Sequence, residues 1–228
     1  MGRESEHLSD ESRHRQRDDG DLARRTRATR GRYDRIARFY DLMERGAESG
    51  RLAAWRSRLW AQVKGSRLLE IGVGTGKNIP YYPSAVEVTA VDVSSGMLQR
   101  ARARARALGN EVDLRLMDAQ HLEFADDSFD TVVATCVFCS VPDPVLGLQE
   151  LRRVAKPDGQ ILLLEHVRPE GALGTLADLA NPLVVRMMGA NINRRTVENV
   201  RQAGLVITGV EPLWRDIFKL IVARPGKA

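Results

Sequence analysis

With 228 residues and 43% hydrophobic side chains, the chain is long enough to bury one sizeable core, and a single domain is the default. No run approaches the roughly 20 apolar residues of a membrane span, and no apolar leader opens the sequence, so a cytoplasmic protein is expected. A net charge of +5 is too modest to argue for a nucleic-acid partner.

Met1 to Arg32 mixes acidic and basic residues, and beyond Met1 only Leu8 and Leu22 are large and apolar. Such a segment cannot bury enough surface to offset its ordering entropy, so residues 1–32 read as a disordered charged tail. Arg24, Arg25, Arg27, Arg30 and Arg32 cluster at its end, as a solvated basic face or a contact for anionic lipid or nucleic acid. The folded domain is expected over 33–228. Ile36, Phe39, Tyr40 and Met43 follow helical spacing and predict a helix with one apolar face.

Leu68, Leu69 and Ile71 read as a buried strand, and Gly72, Gly74 and Gly76 as the turn after it. Glycines at alternate positions let a backbone pass close to a ligand, which in an open α/β sheet lies beyond the carboxyl end of a strand. The third glycine comes one residue too early for a dinucleotide fingerprint, and Lys77 stands in its place. The spacing of a phosphate loop is also missing. Glu70 sits inside the strand, where a carboxylate repels pyrophosphate but suits an ammonium or sulfonium.

Val86–Asp92 is a second strand ending in an acid, and a carboxylate there accepts the hydroxyls of a ribose. Arg100, Arg102, Arg104 and Arg106 alternate with alanine, which spreads charge around a helix rather than making one stripe. The run Val112–Leu116 predicts a third strand, followed by Met117-Asp118-Ala119, and Ser128–Thr135 a fourth. Cys136 and Cys139 follow it, without the further ligands that zinc needs, and read as reduced, pocket-lining or buried thiols. Leu151–Val154, Lys156–Gly159 and Ile161–Leu164 read as helix, tight turn and buried strand.

Beyond Glu165 and His166, residues 167–200 form a region with Leu176, Leu179, Leu183 and Met187 on one helical face, widened by Val184 and Met188. That face is a lid over an apolar acceptor, a membrane-surface contact, or core packing. Thr196–Ala203 reads as a helix stopped by Gly204, and Val206–Leu213 and Phe218–Ala223 as an antiparallel final pair of strands.

From about Tyr33 to Ala223 these motifs, in order and spacing, resemble the class I S-adenosylmethionine-dependent methyltransferases of the type 11 group. The resemblance implies an α/β, Rossmann-like fold: a seven-stranded, mostly parallel sheet with helices on both faces and an antiparallel last strand. It implies S-adenosylmethionine as cofactor, released as S-adenosylhomocysteine, and no metal. Glu70, Gly72, Gly74 and Gly76 would wall the methionine part, Asp92 would hold the ribose, and Val93 and Met97 would lie along the adenine. Asp118 and Ala119 would bind the adenine edge, and Thr135 and Cys136 would sit beneath the sulfonium. Tyr33 and Tyr40 belong to a Tyr-Asp segment that folds over the cofactor in that family. Asp158 departs from the family's Lys-Pro-Gly-Gly turn, and Asp tolerates a left-handed backbone.

An acceptor that must lose a proton needs a base. His166 is the first candidate and Glu165 the second, with His121 a hydrogen-bonding residue near the adenine. Val141-Pro-Asp-Pro and Glu165-His-Val resemble bacterial phospholipid N-methyltransferases acting on phosphatidylethanolamine. Val132–Val141 and Asn191-Ile-Asn-Arg-Arg-Thr196 also resemble animal thiol S-methyltransferases, and quinone C-methyltransferases share the core motifs. The resemblance thus implies a small-molecule or lipid-like acceptor and peripheral membrane contact. An RNA methyltransferase is disfavoured, since Cys139-Ser-Val-Pro142 stands where an Asn/Asp-Pro-Pro-Tyr/Phe motif belongs. A non-catalytic cofactor-binding module would be expected to have lost Glu70, a glycine or Asp92, and none is lost.

Overall fold

A computed structural model describes residues 2–43 and 48–227. Its centre is β1 (Arg67–Ile71), flanked in parallel by β2 (Glu87–Asp92) and β4 (Phe129–Thr135). β3 (Asp113–Leu116) pairs in parallel outside β2, and β5 (Ala155–His166) outside β4. β7 (Phe218–Arg224) runs antiparallel to β5 and to the edge strand β6 (Val206–Leu213), so the sheet order is β3-β2-β1-β4-β5-β7-β6. This is the expected seven-stranded sheet with its antiparallel last strand.

Strand alternation splits the core between the two faces. Leu69, Ile71, Val132, Ala134, Ile161 and Leu163 pack under α4 (Pro144–Val154) and α6 (Thr196–Gln202). Leu68, Val133, Leu162 and Leu164 face the other way, against Leu59 and Trp60 of α2 (Ala53–Trp60). On that same face Ala90 of β2 meets Leu98, Ala101 and Ala105 of α3 (Ser95–Leu108). Burial from both sides explains why the central strands read as continuous apolar runs.

The long α1 (Gly2–Met43) differs from the expected tail over 1–32. Its inward row is Thr26, Thr29, Tyr33, Ala37 and Tyr40, spaced for one helical face but built largely of hydroxyl-bearing residues that hydropathy does not flag. Gln120 Nε2 donates to Thr26 Oγ1 at 3.0 Å, and Arg25 Nη2 to the Pro142 carbonyl at 2.8 Å, so the chain joins the body from Arg25 onward rather than from Tyr33. Phe39, expected on the apolar face, is 60% exposed, while the side chain of Met43 lies outside the described residues.

The Lys156–Gly159 turn is absorbed into β5, where pairing jumps from Phe129↔Ala155 to Thr131↔Gln160. Asp158 is not among the left-handed residues, so its tolerance of that conformation is not called upon. Gly159 is needed for close approach instead: a Cβ there would stand 2.9 Å from the Lys156 carbonyl and 3.0 Å from that of Asp130.

Candidate active site

The chain leaves β1 first toward β2 and β3 and then returns on the other side to β4, so a crevice opens at the carboxyl ends of these strands. A cavity fills it, walled by the turn after β1, the ends of β2 and β4, the Met117–Ala119 loop, and residues of α1 and α2.

The glycine turn is left-handed at Gly72 (φ 67°), Gly74 (φ 57°) and Gly76 (φ 82°). A Cβ on Gly72 would stand 2.5 Å from Val137 Cγ2, whereas at Gly74 only the Gly72 carbonyl, at 4.0 Å, comes near, and that residue borders the cavity. Gly76 serves packing: its Cβ would meet Ile79 Cδ1 at 2.6 Å and Ala101 Cα at 3.1 Å, and it does not line the cavity.

Asp92 ends β2 with both carboxylate oxygens held by backbone, Oδ2 by Gly74 N and Oδ1 by Ser94 N, each at 2.9 Å. Burial pushes its pKa up to about 6, against the pull of those N–H donors. Asp118 lines the cavity too, and its Oδ1 accepts from the backbone and side chain of Gln120, each at 3.0 Å.

Glu70 lies behind the turn rather than in the cavity wall. Its Oε1 accepts from Asn78 Nδ2 at 2.6 Å and its Oε2 from the Tyr82 hydroxyl. Burial raises its pKa to about 7 despite these bonds. Asn78 Oδ1 in turn accepts from Arg56 Nη1 at 2.6 Å. Arg56 and Asn78 line the cavity, and Glu70 orients Asn78 from behind. Lys77 adds a second cation, with Nζ 5.9 Å from the centre of the Tyr40 ring.

At the end of β4, Cys136 takes a left-handed backbone (φ 56°), rare for a residue with a Cβ and concentrated at functional sites. Thr135, Cys136, Val137, Ser140, Val141 and Pro142 line the adjoining wall, and the Tyr33 hydroxyl bonds to Ser140 Oγ at 2.6 Å across it. Glu165 is buried below this loop, and its Oε1 accepts from Val137 N at 2.9 Å and Phe138 N at 3.3 Å. Burial pushes its pKa up to about 7. His166, the next residue, faces the opposite side of the sheet, with its ring edge-on to Phe218 at 5.2 Å and its pKa lowered by burial.

Of the residues singled out in the sequence, Tyr33, Tyr40, Gly72, Gly74, Asp92, Val93, Met97, Asp118, Ala119, Thr135 and Cys136 thus share one cavity. Glu70, Gly76, Glu165 and His166 stand outside its wall, and the His121 side chain is exposed. Cys139 is buried, forms no disulfide with Cys136, and burial lifts its thiol to about 12. Sequence reasoning missed Thr26, Thr29, Arg56 and Asn78. Asn78 follows the glycine turn directly and was within reach, whereas Arg56 sits in a helix without a motif.

The cavity is dipolar, with Asp92 and Asp118 at one part of its wall and Arg56 and Lys77 at another. S-adenosylmethionine carries a ribose diol, a sulfonium, an ammonium and a carboxylate, and a lining that holds both carboxylates and cations fits a ligand bearing both signs of charge. A Cβ at Gly72 would collide with Val137, while Gly74 borders the cavity with open space around it. Among the described residues no group of His, Cys, Asp and Glu has the arrangement to hold a metal ion.

Residues 69–163 match a family model described as a methyltransferase domain. The chain is 40% identical to a phosphatidylethanolamine N-methyltransferase of Cereibacter sphaeroides over 53% of its length and 61% of that protein's. It is 31% identical to a demethylmenaquinone methyltransferase of Renibacterium salmoninarum over 71% of its own length and 68% of the other's. To a thiol S-methyltransferase of Rattus norvegicus it is 36% identical over 53% of the chain and 54% of that protein. The chain spans 61%, 62% and 54% of the first curated relatives it matches. In fold it superposes on a geranyl diphosphate methyltransferase in complex with S-adenosylmethionine with a TM-score of 0.63, at 16% identity, covering 75% of this chain and 84% of that one.

Proposed function

The chain belongs to the S-adenosylmethionine-dependent methyltransferases, and from that premise we propose that it moves a methyl group to a small apolar or lipid-like acceptor, the amine of phosphatidylethanolamine foremost. The observation that carries the methyl-donor half is the dipolar cavity around Asp92, Arg56 and the Gly72–Gly74 cradle. For the acceptor, the support is the apolar wall of Leu52, Val137, Val141 and Pro142 beside the Tyr33–Ser140 pair, together with the resemblance to the phosphatidylethanolamine enzyme. In this reading the protein works in the cytoplasm, peripheral to the membrane.

When bound, the cofactor supplies a methyl carbon already activated by positive sulfur. Transfer is an in-line displacement, so the chain's task is alignment and exclusion of water. Asp92 would accept hydrogen bonds from the ribose hydroxyls, and Arg56 with Lys77 would hold the carboxylate. α1 roofs the cavity through Tyr33, Tyr40, Thr26 and Thr29. Glu165 is a positioning residue that fixes the Val137–Phe138 backbone, and His166, packed on Phe218 on the α2 face of the sheet, stands outside the cavity wall. The Tyr33 and Ser140 hydroxyls offer the acceptor its polar contacts, and an amine acceptor reacts as the neutral base, having given its ammonium proton to solvent before the site closes.

A second reading keeps the donor and changes the acceptor. Among the described residues of the Thr135–Pro142 stretch that line the cavity, the polar side chains are hydroxyls and the Cys136 thiol, which suits a small thiol that ionises by itself, while a quinol would give its proton to solvent. The test is methyl transfer across phosphatidylethanolamine, small thiols and quinols, read as S-adenosylhomocysteine formed. Turnover of thiols alone would remove the lipid reading. No binding of S-adenosylmethionine at millimolar concentration would remove both, and binding without turnover of any acceptor would leave a non-catalytic cofactor-binding module.

A further inference from the structure

The helix α5 (Gly171–Met188) is amphipathic in the inverted sense: its polar side faces the protein and its apolar side faces out. At 3.6 residues per turn, Leu173, Leu176, Leu179 and Leu183 fall within an arc of about 120°. They are 50%, 62%, 76% and 62% exposed. The opposite side carries Gly174, Asp178 and Asn181. Asp178 Oδ2 accepts from Arg168 Nη2 at 2.8 Å and its Oδ1 from Asn193 Nδ2 at 3.1 Å, while Asn181 Oδ1 accepts from Ile192 N at 2.9 Å. A helix of the core would be turned the other way. The side chains of Met187 and Met188 lie outside the described residues.

The surroundings of this leucine row are basic. Arg186 is exposed in the last turn of α5, and the Arg32 guanidinium of α1 fills the space beside Gly189. Two turns back along α1, exposed Arg25 lies on the same side as Arg32, with Arg24 beside it and paired with Asp21. The charges of α5 itself are Asp178, already paired with Arg168, and Arg186. A leucine row with arginines at its C-terminal end matches a surface that sits at the headgroup boundary of an anionic bilayer.

We propose that the Leu173–Leu183 face of α5, with the neighbouring arginines, docks on an anionic phospholipid surface and thereby braces the acceptor wall. The brace is the loop under α5. Asn191, bonded to Asn181 at 3.3 Å, donates its backbone N and its Nδ2 to the Cys139 carbonyl at 2.9 and 3.0 Å, and Arg194 Nη2 donates to the Val141 carbonyl at 2.7 Å. Cys139 and Val141 belong to the loop whose Ser140, Val141 and Pro142 line the cavity. Fixing α5 from outside therefore fixes that wall. The inference rests on the membrane-side reading of the acceptor above, but its test does not use the acceptor.

Vesicles of phosphatidylcholine, with or without phosphatidylglycerol and free of phosphatidylethanolamine, are sedimented with the full chain. The wild type is expected to pellet with the anionic vesicles and to be released by salt, and Leu176→Ser/Leu179→Ser to bind them about tenfold more weakly. Both proteins should bind S-adenosylmethionine equally in calorimetry without vesicles. Anionic vesicles should slow backbone hydrogen exchange in residues 136–142 of the wild type, and Asn191→Ala should remove that protection while leaving vesicle binding intact. Equal vesicle binding by the double variant, or none by the wild type, overturns the proposal. So does self-association of the wild type that the double variant abolishes, since the face would then belong to a second copy. Loss of S-adenosylmethionine binding with vesicle binding retained would remove the methyltransferase reading and leave the docking surface standing.

Discussion

Asp34 of α1 and Ser94 at the start of α3 latch the roof of the cavity to its floor: Ser94 Oγ donates to Asp34 Oδ1 at 2.6 Å, and Gly96 N donates to the same oxygen at 3.0 Å. Burial by itself would raise the Asp34 pKa, but the bonds from Ser94 and Gly96, with Arg30 nearby, outweigh it and hold the carboxyl below its usual range. Ser94 N also binds Asp92, so the latch and the ribose site share one turn of chain.

Removing the latch should loosen α1 without unfolding the sheet. Asp34→Ala is expected to weaken S-adenosylmethionine binding by roughly fivefold, equivalent to about 1 kcal/mol for one partly exposed hydrogen-bonded group. Protease cleavage within residues 25–43 should quicken in parallel. Unchanged affinity together with unchanged cleavage would show that α1 does not depend on Asp34.

Asp92 should impose a pH dependence on cofactor binding. Its pKa is raised to about 6, and the ligand's hydroxyls and positive charge favour the ionised form. Affinity should therefore weaken as pH falls through about 6, with protons released on binding in that window. Asp92→Asn is expected to lower affinity at least about thirtyfold at neutral pH, the loss of charge-assisted hydrogen bonds, and to flatten the profile. An acid limb that persists in the variant would assign it elsewhere.

Arg56 should recognise the amino-acid end of the cofactor. Arg56→Met removes the donor to Asn78 Oδ1, a buried acceptor, at about 1–3 kcal/mol of stability, so melting is measured alongside binding. The informative comparison is S-adenosylhomocysteine against methylthioadenosine, which has neither carboxylate nor ammonium. The variant should lose affinity for the first and keep it for the second. Equal losses for both would make Arg56 a structural residue.

Glu165 should matter to stability with a definite sign. Its pKa in the folded chain is about 7 against an ordinary 4.5, so the folded state holds the extra proton between these values. Its contribution is greatest below pH 4.5 and is lost as pH rises through about 7. Glu165→Gln keeps an acceptor for Val137 N and Phe138 N and should gain in melting temperature relative to the wild type between pH 5 and pH 8. Glu165→Ala leaves those amides buried and unpaired, at about 1–3 kcal/mol each. His166→Phe should retain methyl transfer on every acceptor, and a selective loss would restore His166 as a base.

Much of the fold was legible in the chain because its signals are local. Leu68, Leu69 and Ile71 before Gly72, or Val86–Val91 before Asp92, carry strand, turn and ligand chemistry within one short window. The expected strands recur with ends moved by a residue or so, except β5, which starts at Ala155 because pairing with Phe129 draws the expected Lys156–Gly159 turn into the strand. The exceptions are instructive. α1 was read as a tail because its inward face is Thr26, Thr29, Tyr33 and Ala37, and hydroxyls that bond across a gap do not register as hydrophobic periodicity.

The sequence by itself determined the sheet, the left-handed glycine turn and the acid at the end of β2, because backbone propensity and spacing specify each of them at short range. Only the tertiary structure decided what those elements face. It carried Arg56 from a motifless helix to the cavity, and it set Glu70 behind Asn78 instead of in the wall. Strand alternation sent Glu165 and His166 to opposite sides of the sheet. In α5 the leucine pattern shows an apolar stripe but not its direction, and the bonds of Asp178 and Asn181 to the 191–193 loop turn that stripe outward. Orientation comes from partners remote in the chain, and a one-dimensional pattern does not contain them.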